Sequence, residues 1–261
     1  MADRSDHLLA EDLAVGAGIL LVRLRDRLRV LGVDERVAKD VGDLAAHQYL
    51  VDRLRAERPD DAILSEEDEA GDPSATDRLD ADRVWIVDPL DGTREFGEGR
   101  DDWAVHVALV EDHVPTAGAV TLPARETVLS TAAPPTLPRT DDGPLRIAVS
   151  RTRPPEIAES VAEQLGATLV PMGSAGVKVA SVVLGLADVY LHAGGQKQWD
   201  NCAPVAVARA AGVVCTRLDG TPLRYNLAPL EIDDLLVCRP ECESRVRAAL
   251  GDGSRPDPAQ G

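Results

Sequence analysis

Long hydrophobic runs are absent from this 261-residue sequence. The longest apolar run, residues 14–22, is much shorter than the roughly 20 residues that a transmembrane helix needs, and Asp12 and Arg23 flank it. Acidic residues stand near the N-terminus at Asp3 and Asp6, where a signal peptide would carry a basic and then an apolar segment. We therefore expect a cytoplasmic protein that does not contact a membrane.

Basic charge is also scarce. The chain has 28 Lys and Arg residues against 45 Asp and Glu residues, which gives a formal net charge of −17. A protein that binds a nucleic-acid polymer needs a basic surface to neutralise the phosphates. The charge balance therefore excludes such a polymer as the expected partner.

Cysteine is rare and confined to the last quarter of the chain. No two cysteines form a C-x-x-C pair, and no histidine near them completes a zinc-binding pattern. We expect all four to be reduced and mostly buried: Cys202, Cys215, Cys238 and Cys242.

The hydrophobic pattern predicts an α/β protein in two parts. The N-terminal part, residues 1–140, combines two helices, over the first thirty residues and over 44–58, with strands at 62–64, 84–87, 103–110, 117–122 and 126–131. A proline-rich stretch, 132–143, marks the boundary. The second domain, residues 141–250, alternates strands and helices (helices at 155–165, 174–186 and 200–211), and residues 251–261 are expected to be a disordered tail.

The most informative segment is WIVDPLDGT, residues 85–93. Its apolar strand places Asp88 at the carboxyl end, and Pro89 interrupts strand hydrogen bonding, so that Asp88 and Asp91 can converge. Carboxylate oxygens are the ligands that Mg²⁺ prefers, and the Gly92 and Thr93 amides can face an anion. An ordinary Asp-Gly turn between two strands is the alternative interpretation.

Further acidic residues favour a metal site. Glu66 and Glu67 follow a strand end of their own, and Asp43 is expected at the start of the second helix. Asp200 is expected at the start of a later helix, where an N-cap is the simpler interpretation. The acidic run after Ser65 could equally be a solvated loop.

Substrate contacts are predicted at a helix start and at a strand end. Gly173 and Ser174 precede a helix whose amides suit a phosphate, and Lys178 lies one turn further along. Ser150 and Arg151 end a strand and could meet a second phosphate. Ordinary capping and a solvated arginine are the respective alternatives.

Taken together, these motifs resemble the inositol monophosphatase-like superfamily, and in particular its CysQ-type 3'-phosphoadenosine-5'-phosphate phosphatases of actinobacteria. The resemblance runs from about Asp43 to Cys238, with Asp40 where many members have Thr. The stretches that carry it are Asp43, SEE at 65–67, DPLDGT at 88–93 and WD at 199–200, with DRVWIVDPLDGTREF, GRDDWAVHVAL, LRIAVSRTRPP, GSAGVKV, DVYLHAGGQ and LDGTPLRYN for the closer match.

The resemblance implies an α/β/α/β/α sandwich, a homodimer and two or three Mg²⁺ ions. It implies removal of the 3'-phosphate of 3'-phosphoadenosine 5'-phosphate, giving AMP, by in-line attack of a metal-activated water. It also implies metal ligation by Glu66, Asp88, Asp91, Asp200 and the Leu90 carbonyl, with Asp43 at a further ion, and catalytic roles for Asp43, Glu66 and Thr93. Together with the residues above, the expected substrate contacts are Gly92, Thr93, Ser150, Gly173, Ser174, Lys178 and Asp200.

Three alternatives remain open at this point. A phosphatase of the same superfamily acting on inositol monophosphate, fructose 1,6-bisphosphate or a biosynthetic sugar phosphate would differ only around Ser150, Ser174, Lys178 and residues 224–226. A haloacid-dehalogenase-type phosphatase needs one residue between its two acids, whereas Pro89 and Leu90 both intervene here. A non-catalytic metal-binding protein is the third.

Overall fold

The structure is a computed structural model that describes residues 2–67, 77–139 and 143–251. The tail predicted to be disordered lies, from residue 252 onward, outside the described residues. The described chain forms two five-stranded sheets with helices on their faces and between them. The division into domains at residue 140 stays a prediction.

The first sheet comes from the N-terminal half. Its strand order is β1-β2-β3-β4-β5, with β1 parallel to β2 and the remaining neighbours antiparallel. The elements are α1 (Arg4–Val30), α2 (Glu35–Glu57), β1 (Ala62–Ser65), β2 (Arg83–Asp91), α3 (Thr93–Gly97), β3 (Ala104–Glu111), β4 (Val114–Leu122) and β5 (Thr127–Ser130), with 3-10 turns at Asp77–Asp80 and Pro123–Arg125.

The second sheet has the order β7-β6-β8-β10-β9, and β6 runs parallel to both β7 and β8. β10 is antiparallel to its two neighbours. The elements are β6 (Arg146–Ser150), α4 (Glu156–Leu165), β7 (Thr168–Met172), α5 (Ala175–Val183), β8 (Val189–Lys197), α6 (Gln198–Ala210), β9 (Val214–Thr216), β10 (Glu231–Cys238) and α7 (Glu243–Leu250), with a 3-10 turn at Pro240–Cys242.

Successive side chains of each strand point to opposite faces of its sheet, and the buried apolar residues therefore form three separate cores. On β2, Trp85 and Val87 pack against α1 and α2, whereas Val84 and Ile86 face a central layer formed by α5 and α6. The opposite face of the second sheet packs against α4 and α7. The layers therefore run helix, sheet, helix, sheet, helix, which confirms the predicted layered α/β class.

The start of α2 and the end of β2 were predicted wrongly. α2 begins at Glu35 instead of residue 44, because Asp34 caps it by accepting the Arg36 amide at 2.9 Å, so Asp43 lies inside the helix. β2 does not end before Pro89 but continues to Asp91, with an irregular register between Asp88 and Asp91 that absorbs the proline.

Candidate active site

The register of the first sheet places two acidic segments side by side. β1 and β2 run parallel with Ser65 opposite Val87, so Glu66 and Asp88 follow at the same edge of the sheet. Asp88 is 1% exposed, and its Oδ1 accepts the Leu90 amide at 3.1 Å. This hydrogen bond spans Pro89, within the irregular register of β2 between Asp88 and Asp91.

Gly92 makes the turn between β2 and α3 possible. Its φ is +87°, a conformation that side-chain-bearing residues rarely adopt. A Cβ at this position would also lie 3.2 Å from the Cβ atoms of Ser174 and Trp103. Glycine therefore allows the segment that carries Thr93 to pack closely against the start of α5.

The Asp91 carboxylate is held by donors from α5 and β3. It accepts hydrogen bonds from Ser174 Oγ at 2.5 Å and from the amides of Gly176 and Ala175 at 2.6 and 3.1 Å. His106 Nε2 lies 3.2 Å from its Oδ2. Burial alone would raise the pKa of Asp91, but His106, Ser174 and the positive charge of Lys178 outweigh it and lower this pKa to about 2.

The remaining acidic side chains have the opposite shift. Burial first, and then repulsion from neighbouring carboxylates, raises the pKa of Glu66 to about 8, that of Asp43 to about 7 and that of Asp200 to about 6. The same two causes raise the pKa of Asp88. The structure therefore brings together, as one repelling group, Asp43, Glu66, Asp88, Asp91 and Asp200.

Asp200 enters this group from the second half of the chain. The N-cap interpretation of Asp200 is wrong: α6 begins at Gln198, and Asp200 is its third residue. The Oδ2 atom of Asp200 accepts the Lys197 amide at 2.7 Å, which closes the first turn of the helix. Gln198 anchors the same turn by donating to the carbonyls of Leu227 and Pro229.

The donor set of this group fits a divalent cation. Buried carboxylates that repel one another are stabilised by a cation, and their hard oxygens suit Mg²⁺. Asp43 Oδ1 is buried and has no hydrogen-bond partner in the described part of the chain. Within the described ranges, no three acidic, histidine or cysteine side chains form a ready-made metal shell, so the fit rests on the donor types and not on their spacing.

A cleft of about 210 Å³ lies beside the carboxylate group. It joins the turn after β2 with the ends of β6 and β7, which come from the other sheet. Asp200, a predicted substrate contact, does not line it. Six predicted contacts do, namely Gly92, Thr93, Ser150, Gly173, Ser174 and Lys178, and they are joined by Arg94, Glu95, Arg151, Thr152, Arg153 and Met172.

Lys178 lies mostly behind the wall of this cleft. Its Nζ donates to the carbonyls of Ser174 at 2.6 Å and Gly173 at 3.4 Å, and it lies 5.5 Å from the centre of the Tyr190 ring. Burial lowers the pKa of Lys178. The side chain thus braces the turn that presents Ser174.

Beneath the carboxylate group, sequence reasoning missed His106 and Gly176. His106 is fully buried beneath Asp91, but in the sequence it stands within an alternating apolar strand and gives no signal. A Cβ at Gly176 would overlap His106 Nε2, so this glycine is required by the close approach of α5 to β3. No spacing rule in the sequence indicates that contact.

Residues 224–226 do not contribute to the cleft, contrary to expectation. The Tyr225 hydroxyl is buried and donates to Asn201 Oδ1 at 2.7 Å. Asn226 exchanges hydrogen bonds with the Arg78 side chain and carbonyl. These hydrogen bonds join residues 224–226 to α6 and to the 3-10 turn at Asp77–Asp80.

Comparison with known proteins decides the family. Residues 9–247 match the model of the inositol monophosphatase family. The chain belongs to the inositol monophosphatase family. It is 48% identical over 253 residues to the 3'-phosphoadenosine 5'-phosphate phosphatase of Mycobacterium bovis, covering 92% of this chain and 91% of that protein.

Other relatives agree with this assignment. The 3'(2'),5'-bisphosphate nucleotidase CysQ of Escherichia coli K12 is 30% identical over 82% of this chain and 91% of its own length. The crystal structure of CysQ from Bacteroides thetaiotaomicron superposes with a TM-score of 0.75 at 27% identity, covering 90% of this chain and 97% of that one. SuhB of Mycobacterium tuberculosis, at 23% identity and a TM-score of 0.69 over 94% of each chain, shares the fold.

Two further expectations concern the whole chain. Among the described residues, no helix is both long and apolar enough to cross a membrane. The four cysteines are free thiols, and all four are buried, as predicted. Burial raises the pKa of each thiol, which keeps them protonated and unreactive at neutral pH.

Proposed function

We propose that this member of the family is a Mg²⁺-dependent phosphatase that removes the 3'-phosphate of 3'-phosphoadenosine 5'-phosphate, giving AMP and phosphate. The observation that carries the proposal is the junction of the buried carboxylate group with a cleft lined by cationic residues. Relatives whose names specify this substrate, at 48% identity over most of the chain, support the choice of nucleotide.

The carboxylate group is proposed as the metal site. Enzymes of this family depend on metal ions, and we propose two or three Mg²⁺ ions per site. When bound, Mg²⁺ would offset the charge of the phosphate and lower the pKa of a coordinated water. The proposed ligands are Glu66, Asp88, Asp91, Asp200 and the Leu90 carbonyl, with Asp43 at a further ion.

Three side chains are proposed to orient the attacking water. Thr93 stands at the start of α3 and lines the cleft, and Asp43 and Glu66 belong to the neighbouring carboxylate group. Burial and repulsion raise the pKa values of Asp43 and Glu66 to about 7 and about 8 in the metal-free protein, and bound Mg²⁺ would lower both and keep the carboxylates ionised. As ionised groups they would, together with Thr93, orient a water for in-line attack, and no protein nucleophile is needed.

The cleft is proposed to hold the substrate. The turn at Gly92 and Thr93 follows Asp91 and lines the cleft, and we propose that it binds the phosphate that is removed. Ser150, Gly173 and Ser174 line the same cleft, and Lys178 braces the turn that carries Ser174. Asp200, outside the cleft lining, would contact substrate only from the side of the carboxylate group.

Phosphate release from three substrates tests this function. We would compare 3'-phosphoadenosine 5'-phosphate, inositol 1-phosphate and fructose 1,6-bisphosphate, each with Mg²⁺, with EDTA and with added Li⁺. We expect a strong preference for the nucleotide that is lost in EDTA and inhibited by Li⁺. Preference for a sugar phosphate would overturn the substrate, and metal-independent or absent phosphate release would overturn the whole proposal.

The oligomeric state and location remain predictions. The homodimer expected from the family resemblance is checked by sedimentation velocity at micromolar concentration, where a single species of twice the 27.8 kDa chain mass is expected. A monomer at that concentration would contradict it. The expected cytoplasmic location is checked by cell fractionation of the tagged protein.

A further inference from the structure

The cleft concentrates positive charge in a strongly acidic protein. Arg94, Arg151 and Arg153 line it, although the whole chain carries a net charge of −17. Arg94 and Arg153 are exposed, and in the described part of the chain neither has a carboxylate partner. A cluster of guanidinium groups at the mouth of a cleft favours an anionic ligand.

Arg151 is only partly satisfied by the protein. Its Nη2 atom donates to two carboxylates, to Glu95 Oε1 at 2.8 Å and to Glu98 Oε2 at 2.9 Å. Its Nε atom is buried and has no acceptor among the described residues. A buried donor without a partner costs free energy, and an acceptor on a bound ligand would remove that cost.

These atoms form a phosphate-binding edge. Nε and Nη2 lie on the same side of a guanidinium and together can donate two parallel hydrogen bonds to one phosphate. A phosphate oxygen could accept a hydrogen bond from Nε, which has no other acceptor among the described residues. At Nη2, the phosphate has to replace one of the two carboxylates. A dianionic ligand can therefore displace one carboxylate from Arg151 and form an ion pair with the guanidinium in its place.

Glu98 is the carboxylate that can leave. Its side chain is 36% exposed, whereas that of Glu95 is 9% exposed. Glu95 is also confined by Gly173, where even a Cβ would overlap its side chain. An exposed ion pair contributes little free energy, so release of Glu98 into water is inexpensive and Glu95 stays to hold the guanidinium in place.

We propose that Arg151, with Arg94 and Arg153, forms a subsite for the second phosphate of a bisphosphate substrate, and that this phosphate replaces Glu98 on Arg151. The inference rests on the proposed function, because it assigns the phosphate that is not removed. Arg151 lies in the loop after β6, and Glu98 directly follows α3. The ion pair that the phosphate replaces therefore joins the two halves of the chain. The subsite selects ligands that carry two separated phosphates.

The test compares two substrates that differ by one phosphate. We would measure kcat/KM for 3'-phosphoadenosine 5'-phosphate and for adenosine 3'-monophosphate, in the wild type and in Arg151→Met. We expect the ratio of the two values to fall about ten- to hundredfold in the variant, the range for loss of hydrogen bonds to a charged group. A ratio that does not change would overturn the subsite.

Two further variants sharpen the result. Arg151→Lys keeps the charge but loses the paired donors, so we expect it to recover only part of the ratio. Glu98→Gln weakens the competing carboxylate, so we expect a lower KM for the bisphosphate and no change in KM for the monophosphate. Arg53→Met, which removes an exposed ion pair with Asp12 on the outer helices, is the matched control and should leave the ratio unchanged.

A binding measurement separates failure of the subsite from failure of the proposed function. In EDTA, calorimetry with AMP and with adenosine reports the contribution of the 5'-phosphate without turnover. We expect AMP to bind at least tenfold more tightly than adenosine to the wild type, and this difference to vanish in Arg151→Met. If the enzyme prefers a sugar phosphate, the proposed nucleotidase function fails, while equal binding of AMP and adenosine overturns the subsite itself.

Discussion

His106 Nε2 lies 3.2 Å from Asp91 Oδ2, in the fully buried space between the first sheet and the central helices. The other ring nitrogen, Nδ1, lies 3.1 Å from the carbonyl oxygen of Trp199, one residue before Asp200. The imidazole therefore links the Asp91 carboxylate to the backbone of the first turn of α6, which belongs to the other half of the chain. Its place is that of a positioning residue, since it touches a proposed ligand and lies away from the cleft.

Replacing His106 with leucine is expected to weaken metal binding more than it slows the reaction. Loss of a group that orients a metal ligand typically costs ten- to hundredfold in affinity. We therefore expect the Mg²⁺ concentration for half-maximal activity to rise by about that factor, with a smaller loss of kcat at saturating Mg²⁺. An unchanged Mg²⁺ requirement would contradict the positioning role, and His106→Gln, which retains a polar group, should be less affected.

Gly176 is expected to tolerate no side chain. In Gly176→Ala the new Cβ would overlap His106 Nε2 and lie 3.1 Å from Asp91 Oδ2, so α5 must move away from β3. Overpacking of this kind costs about 1–3 kcal/mol, which lowers Tm by several degrees in a chain of this size. Gly143→Ala is the matched control, since no atom of the described residues lies within 4 Å of that Cβ, and equal Tm values for the two variants would refute the steric argument.

Stability without metal is expected to fall as pH rises from about 4.5 to 8. The folded-state pKa values of Asp200, Asp43 and Glu66 are raised to about 6, 7 and 8, above their unfolded values, so the folded state binds more protons across this window. Above their folded pKa values the ionised groups repel one another. Mg²⁺ removes that repulsion, so it should raise Tm more at pH 8 than at pH 5.

Thermal unfolding in EDTA and in 10 mM Mg²⁺ at the two pH values provides the measurement. A Ca²⁺ series controls for the requirement for a divalent cation in general. If Mg²⁺ raised Tm equally at both pH values, the carboxylate group would not be the binding site. Asp91, with a pKa lowered to about 2, titrates below this window and does not affect the comparison.

How much of the site the sequence predicts depends on how local each contact is. The DPLDGT segment is readable because a buried strand leads directly into acids, proline and glycine within one turn. His106 is not readable, because its partners Asp91 and Trp199 come from another strand and from a helix of the other half. Such contacts depend on how the layers pack, and the spacing of residues along the chain does not predict them.

The same distinction explains the fold. The strands were predicted close to their observed positions because most are continuously apolar and end at turn residues. The start of α2 was missed because Val37 and Val41 are exposed on its outer face and break the apolar period that marks a buried helix. The Asp34 cap was the available signal, and it outweighs that irregular pattern.

Lys178→Met is expected to reduce activity on mono- and bisphosphates by the same factor. The Lys178 ammonium donates to the Ser174 and Gly173 carbonyls, so its loss loosens the turn that carries Ser174 whichever substrate is bound. We expect about a tenfold loss of kcat/KM on both substrates and a lower Tm. A loss confined to the bisphosphate would instead assign Lys178 to the second phosphate, together with Arg151.

Asp43→Asn and Asp91→Asn are expected to change stability in opposite directions while both reduce activity. Asp43 Oδ1 is buried, lacks a hydrogen-bond partner within the described ranges and is repelled by Glu67 and Asp40, so neutralising it should raise the Tm of the metal-free protein at pH 8. Asp91 accepts from Ser174, Ala175 and Gly176, and an amide nitrogen in place of one oxygen would face those donors and lower Tm.

Both variants remove a charge from the proposed metal site, so each should lower kcat at saturating Mg²⁺, by at least a hundredfold for Asp91→Asn. Thermal unfolding in EDTA, paired with phosphate release, separates the two effects. Asp40→Asn serves as the control, since it relieves the same repulsion from outside the proposed ligand set and should raise Tm without a comparable loss of activity. Tm shifts of the same sign for Asp43→Asn and Asp91→Asn would show that the two carboxylates share one environment, against the hydrogen bonds and charges described here.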